Sequence, residues 1–88
     1  VEVDPDFAEA WNNLASVHAQ FEEWDDAVEA GQRALELAPD FADAHYNLAE
    51  AFHASGRAEE ARRHARAYLA IDPKSAWAER LKQNLALA

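Results

Sequence analysis

The chain has 88 residues, half of them apolar, and 22 of those apolar residues are alanine. One domain is the ceiling at this length, and so few large apolar side chains suit closely packed helices better than a globule with a thick core. Two glycines and three prolines are too few for the turns of an all-β fold, no cysteine offers a disulfide or a thiolate metal site, and a net charge of -9 opposes nucleic acid and anionic membrane as partners. No apolar run approaches the ~20 residues of a membrane span. Neither a leader segment nor any methionine is visible, which reads as a piece of a larger protein. Cytoplasm is the default location expected, and a trimmed periplasmic or anchored parent fits the same pattern.

Pro5, Pro39 and Pro73 stand 34 residues apart, and that interval organises the chain. A shift of 34 lays residues 5–15 on residues 39–49, with eight of eleven pairs identical. Val1-Glu2-Val3 matches Leu35-Glu36-Leu37, so residues 1–6 read as the end of a preceding repeat. Repeat 1 covers 7–39 and repeat 2 covers 40–73, each predicted as two helices; 74–88 is a capping helix. The first helices are expected at 7–20 and 41–55, with Asp6 and Asp40 as N-caps and Glu9 and Asp43 in capping-box position. Trp11, Leu14, Ala15 and His18 share one face at helical spacing, as do His45, Leu48, Ala49 and Phe52. Gly56 is placed to end the second of these helices. The second helices are expected at 24–37 and 58–71, with small-residue stripes Ala27, Gly31, Ala34 and Ala58, Ala61, Ala65. Trp24 reads as an anchor for the turn before it. The last helix, 75–87, has Ser75 as N-cap and Trp77, Leu81 and Leu85 on one face. Arg80, Lys82, Gln83 and Asn84 give it the polar outer face a repeat array needs at its end.

The period, the helix pairs and these residues resemble the tetratricopeptide repeat, whose signature is W-x2-L-G-x2-Y, then A-x3-F, then P. The first copy offers Trp11, Leu14, Ala15 and His18, then Ala27, Gly31 and Pro39; the second offers His45, Leu48, Ala49 and Phe52, then Ala61, Ala65 and Pro73. Gly31 and Ala65 stand where the family has a large aromatic, and Tyr68 stands where the first repeat has Ala34. Trp24, Trp77 and Tyr68 are the side chains available to supply the missing volume. The resemblance implies an all-α fold, with antiparallel helix-turn-helix repeats stacked into a short right-handed solenoid.

It also implies a protein-protein interaction module whose first helices line a concave groove for a peptide or partner segment. Carried over by register, the groove residues are Glu9, Asn12, Asn13, Ser16 and Gln20, then Asp43, Tyr46, Asn47, Glu50 and His53, then Trp77, Arg80 and Asn84. Asparagine amides donate to and accept from a peptide backbone, and Tyr46 and Trp77 offer flat contact area. Glu9, Asp43 and Glu50 favour a basic or neutral partner. The family's clamp for acidic terminal carboxylates needs basic companions at positions that here hold Asn12, Asp43, Trp77 and Leu81, so that ligand is not expected. The alternative is structural self-association, head to tail or dimeric, through uncapped repeat ends.

Other chemistries are not expected. No ligand-spaced histidine set predicts a metal, and pairs such as His18 with Glu22 or Glu60 with His64 read as neighbours on a helix surface. The acids at residues 22–26 lack a calcium loop's pattern. Arg62, Arg63 and Arg66 read as a solvated face. No nucleophile-base pair and no phosphate loop predicts an enzyme or a cofactor. The charge is split along the chain: residues 1–56 hold thirteen acids and one base, while residues 57–88 hold four acids and seven bases.

Overall fold

The structure, a computed structural model, describes residues 5–85 as five helices in chain order: α1 Pro5–Gln20, α2 Trp24–Leu37, α3 Ala42–Ala54, α4 Ala58–Ile71 and α5 Ala76–Leu85. No strand occurs among the described residues. The expected Val1–Val3 stub and the end of the capping helix at 86–88 lie outside them. Alternating contacts build two layers. α1 packs on α2 and α3 on α4, while α1 touches α3 and α3 touches α5. α2 and α4 stay apart. The first helices therefore form a continuous layer and the second helices a spaced one, as the repeat predicts. No helix is long and apolar enough to cross a membrane.

Both helix pairs turn in the same way. At the end of α1 the Glu23 amide donates to the His18 carbonyl (2.9 Å) and the Glu22 amide to the Ala19 carbonyl (3.0 Å). At the end of α3 the Arg57 amide donates to Phe52 (2.8 Å) and the Gly56 amide to His53 (3.2 Å). These are Schellman turns, which need one residue in the left-handed region. Gly56 fills that place with φ 83°, and Glu22 fills it with φ 59°. A side chain there costs about 1 kcal/mol that glycine avoids.

The helix starts differ in part from expectation. Ser75 caps α5 as predicted, its Oγ accepting from the Ala78 amide at 3.1 Å. Asp40 caps nothing: the N-cap of α3 is Phe41, with no side-chain cap hydrogen bond. The α2–α3 connection is closed by main chain instead, the Phe41 amide donating to Ala38 and the Ala44 amide to Phe41. α1 already contains Pro5 and Asp6, so the expected Asp6 cap falls inside the helix.

The core lies between the layers and centres on α3. Leu48 and Phe52 are fully buried, with Leu81 from α5 beside them. Leu48 fits over Gly31 of α2, where an added Cβ would lie 2.8 Å from Leu48 Cγ. The missing aromatic at Gly31 is thus replaced by a leucine from the next helix. Tyr68 is buried and packs edge-on to Tyr46, with ring centroids 5.7 Å apart. Trp24 is half-buried against the core, but Trp77 stays 54% exposed, so it supplies little of the expected volume. Ala58 is also exposed, which shortens the α4 stripe to Ala61 and Ala65.

α1 departs most from the symmetric reading. Its expected core face leaves Trp11 38% and Leu14 41% exposed, whereas Leu48 at the same place on α3 is at 0%. The reason is the neighbour: α2 covers that face of α3, and no described helix covers it on α1. α1 buries Ala8, Asn12 and Ala15 against its partners instead.

The histidine pairings are also new. His18 bonds Glu23 rather than Glu22, Nδ1 to Oε1 at 2.9 Å. His64 meets His45 rather than Glu60, with the two Nδ1 atoms 3.0 Å apart and the ring centroids 5.3 Å apart. The rings therefore point nitrogen to nitrogen. His45 Nε2 lies 2.9 Å from the Pro39 carbonyl and must carry a proton to donate there. His45 Nδ1 is then the acceptor and His64 Nδ1 the donor. His64 also stacks on Phe52, 5.6 Å between centroids. Burial first, then His45 and Arg63, push its pKa down to about 4.

Two outcomes follow. Gly31→Ala should lower stability by about 1–3 kcal/mol through displacement of Leu48, despite alanine's better helix propensity, as a lower urea midpoint at unchanged slope. Unfolded His64 takes a proton below about 6.5 and folded His64 only near 4, so its contribution is complete above 6.5 and is lost as pH falls through that window. Urea unfolding at pH 7 and pH 5 should show a smaller pH-dependent loss for His64→Phe than for the unchanged chain.

Candidate functional site

The layer of first helices places one polar face of α1, α3 and α5 on a common side. A cavity of about 490 Å³ opens there. Nine of the eleven principal groove residues read from the sequence line it: Asn12, Asn13, Ser16, Asp43, Tyr46, Asn47, Glu50, Trp77 and Arg80. Gln20 lines it as well. Glu9 and His53 are exposed and stand outside it, each about a turn beyond the lining residues of its own helix. Sequence reasoning missed Ala19, Trp24 and Tyr68 as lining groups. Trp24 and Tyr68 belong to second helices, which the repeat register assigns to the outer layer. The signal for Tyr68 was its size, where the first repeat has only Ala34.

The α1–α3 end of the groove is an amide network. Asn47 Nδ2 donates to Asn12 Oδ1 at 2.8 Å and to Ser16 Oγ at 3.0 Å. Asn12 is 6% exposed, so Asn47 satisfies an acceptor that water scarcely reaches. One side chain thereby ties the two repeats together across 35 residues of sequence. Asn13 and Gln20 stay exposed beside this network.

The α3–α5 end is aromatic and acidic. Tyr46 hydroxyl donates to Glu50 Oε1 at 2.6 Å. Its ring meets Trp77 edge-on, 5.0 Å between centroids. Arg80 Nη2 stands 3.9 Å from the same Glu50 oxygen. Burial first, then the hydrogen bond and charge of Glu50, push the Tyr46 phenol above its ordinary range. Burial also raises Tyr68, whose hydroxyl lies 3.1 Å from Ser75 Oγ and donates to Asp72 at 3.3 Å. Both phenols stay protonated near neutrality and act as hydrogen-bond donors.

Outside the groove, the α1–α2 turn gathers His18, Glu23 and Asp26, with potential ligand atoms within 4.8 Å of one another. The two acids are exposed, and the His18–Glu23 hydrogen bond accounts for the closest approach. Arg57 reaches across from the second turn to Asp25 at 3.1 Å.

The groove offers hydrogen bonds, aromatic faces and charge, which are the means of binding. Stacked helix pairs presenting such a face define a helical-repeat scaffold, an architecture without catalytic machinery of its own. Residues 18–85 match the family model for the tetratricopeptide repeat, and the chain belongs to that family. It is accordingly a protein-protein interaction module. No curated protein matches the chain.

Removal of Asn47 should be felt at Asn12. Asn47→Ala leaves the buried Asn12 oxygen without its donor and should cost about 1–3 kcal/mol, measured by thermal unfolding. Asn13→Ala, at an exposed position in the same groove, should leave the melting curve nearly unchanged.

Proposed function

We propose that the chain receives an extended peptide segment, basic or neutral, in the groove formed by α1, α3 and α5. The observation that carries this reading is the groove's lining, which joins side-chain amides at one end to carboxylates and aromatic rings at the other. Asn13 and Gln20 supply both donors and acceptors to a peptide backbone. Asp43 and Glu50 repel acidic segments and raise the encounter rate of basic ones. In this proposal residues 1–88 act as one domain with α5 as its terminal cap.

A peptide array probed with the folded chain tests the reading. Basic and neutral peptides should be retained and acidic ones rejected, with the basic signal falling as salt rises. Asn13→Trp, which fills the groove from an exposed position, should abolish retention without loss of helicity. Equal retention of acidic peptides, or none of any kind, would overturn it.

A second reading rests on α1. Phe7, Trp11, Leu14 and Val17 form an apolar stripe along the helix that Phe21 continues into the turn, with Phe7 61% and Phe21 71% exposed. Such a stripe favours association of two copies through α1. α5 already covers α4, which opposes head-to-tail stacking at the other end. Sedimentation over a concentration series should show dimers that Leu14→Glu disperses; a monomer throughout would remove this reading.

A further inference from the structure

The α3–α5 end of the groove already holds a cation of its own. Glu50 is two-thirds buried, and the Tyr46 hydroxyl fixes the direction of its carboxylate through a 2.6 Å hydrogen bond. Arg80 approaches the same oxygen only to 3.9 Å, well beyond the ~2.7–2.9 Å of a charge-assisted hydrogen bond. Its side chain is 58% exposed. An ion pair that is long and solvated contributes little and is readily exchanged for a better one. Trp77 and Tyr46 stand at 74° to each other beside this pair, and both line the cavity. Asp43 lines the same cavity as a second carboxylate.

We propose that Glu50, Tyr46 and Trp77 form a seat for an arginine side chain of the bound peptide, and that Arg80 is a tethered occupant which this arginine displaces. This rests on the groove reading and deepens it by naming the ligand's chemistry. A guanidinium is planar, so it stacks on an indole while its edge donates two hydrogen bonds to a carboxylate. An ammonium uses the same charge but lacks the planar edge, so lysine binds the seat more weakly. The two rings add an attraction for the cation, a modest one because Trp77 stays exposed. Arg80 thus has a role other than contact with the peptide: it holds the empty seat neutral and raises the threshold for entry.

Three short acetylated, amidated peptides test the seat by isothermal titration: Gly-Ala-Arg-Ala-Gly, the same peptide with lysine, and the same peptide with citrulline, arginine's uncharged isostere. The arginine peptide should bind about ten-fold more tightly than the citrulline peptide, with lysine between them. Arg80→Ala should tighten the arginine peptide about two- to five-fold, a larger gain than it gives the citrulline peptide. Glu50→Gln keeps an acceptor for the Tyr46 hydroxyl and should erase the preference for arginine. Equal binding of arginine and citrulline, or weaker arginine binding in Arg80→Ala, would overturn the seat. If the neutral peptide still binds and Asn13→Trp still blocks it, the groove reading survives that failure. If no peptide binds, both fall together.

Discussion

The fit of Leu48 over Gly31 joins the two helix pairs, and the rest of the structure depends on it. Each pair is closed locally by its own turn, and α3 is the helix that touches all four others. Its approach to α2 is set by a position with no Cβ, into which a leucine fits. A large aromatic in place of Gly31 would hold the helices apart. With α3 seated this deeply, Asn47 comes within hydrogen-bond reach of Asn12 and Ser16. The groove's width is therefore a consequence of packing on its opposite side. Close packing transmits such displacements because interiors leave few voids to absorb them.

The groove divides its work between two ends. At one end amides from α1 and α3 are pre-arranged by their bonds to one another. At the other, Tyr46 orients Glu50 while Tyr68 supports Tyr46 from the outer layer. Of the thirteen acids in residues 1–56, Asp43 and Glu50 line the groove, both from α3. The basic bias of residues 57–88 brings Arg80 to the second end. Affinity in such a site comes from the few desolvated contacts, and the field mainly selects and orients the partner.

Most of this architecture was legible because a repeat is redundant. The 34-residue shift marks out the helices, since each copy checks the other, and the resemblance to the tetratricopeptide repeat supplies nine of the principal lining residues. What escaped were the places where the copies differ. Asp40 has a good capping residue's chemistry, but a main-chain turn at Phe41 claims the position. His45 and His64 were read within their own helices, while their hydrogen bond joins two. Tyr68 and Trp24 reach the groove from the outer layer because neighbouring side chains are small. Trp11 and Leu14 carry the pattern of a core face, and no pattern within a helix says whether a neighbour is there to cover it.

The two turns, alike in their hydrogen bonds, differ in the residue at the left-handed position. That difference has a consequence for how the molecule comes apart. Repeat arrays open one unit at a time, beginning where neighbours are fewest and local strain is greatest. The second condition is met in the first pair, where Glu22 carries a side chain at the left-handed position of its turn. Opening of that pair dissolves the amide wall of the groove, since Asn12 and Ser16 lie on α1. Occupation of the groove along its whole length then works as a clasp, holding closed the end that opens first.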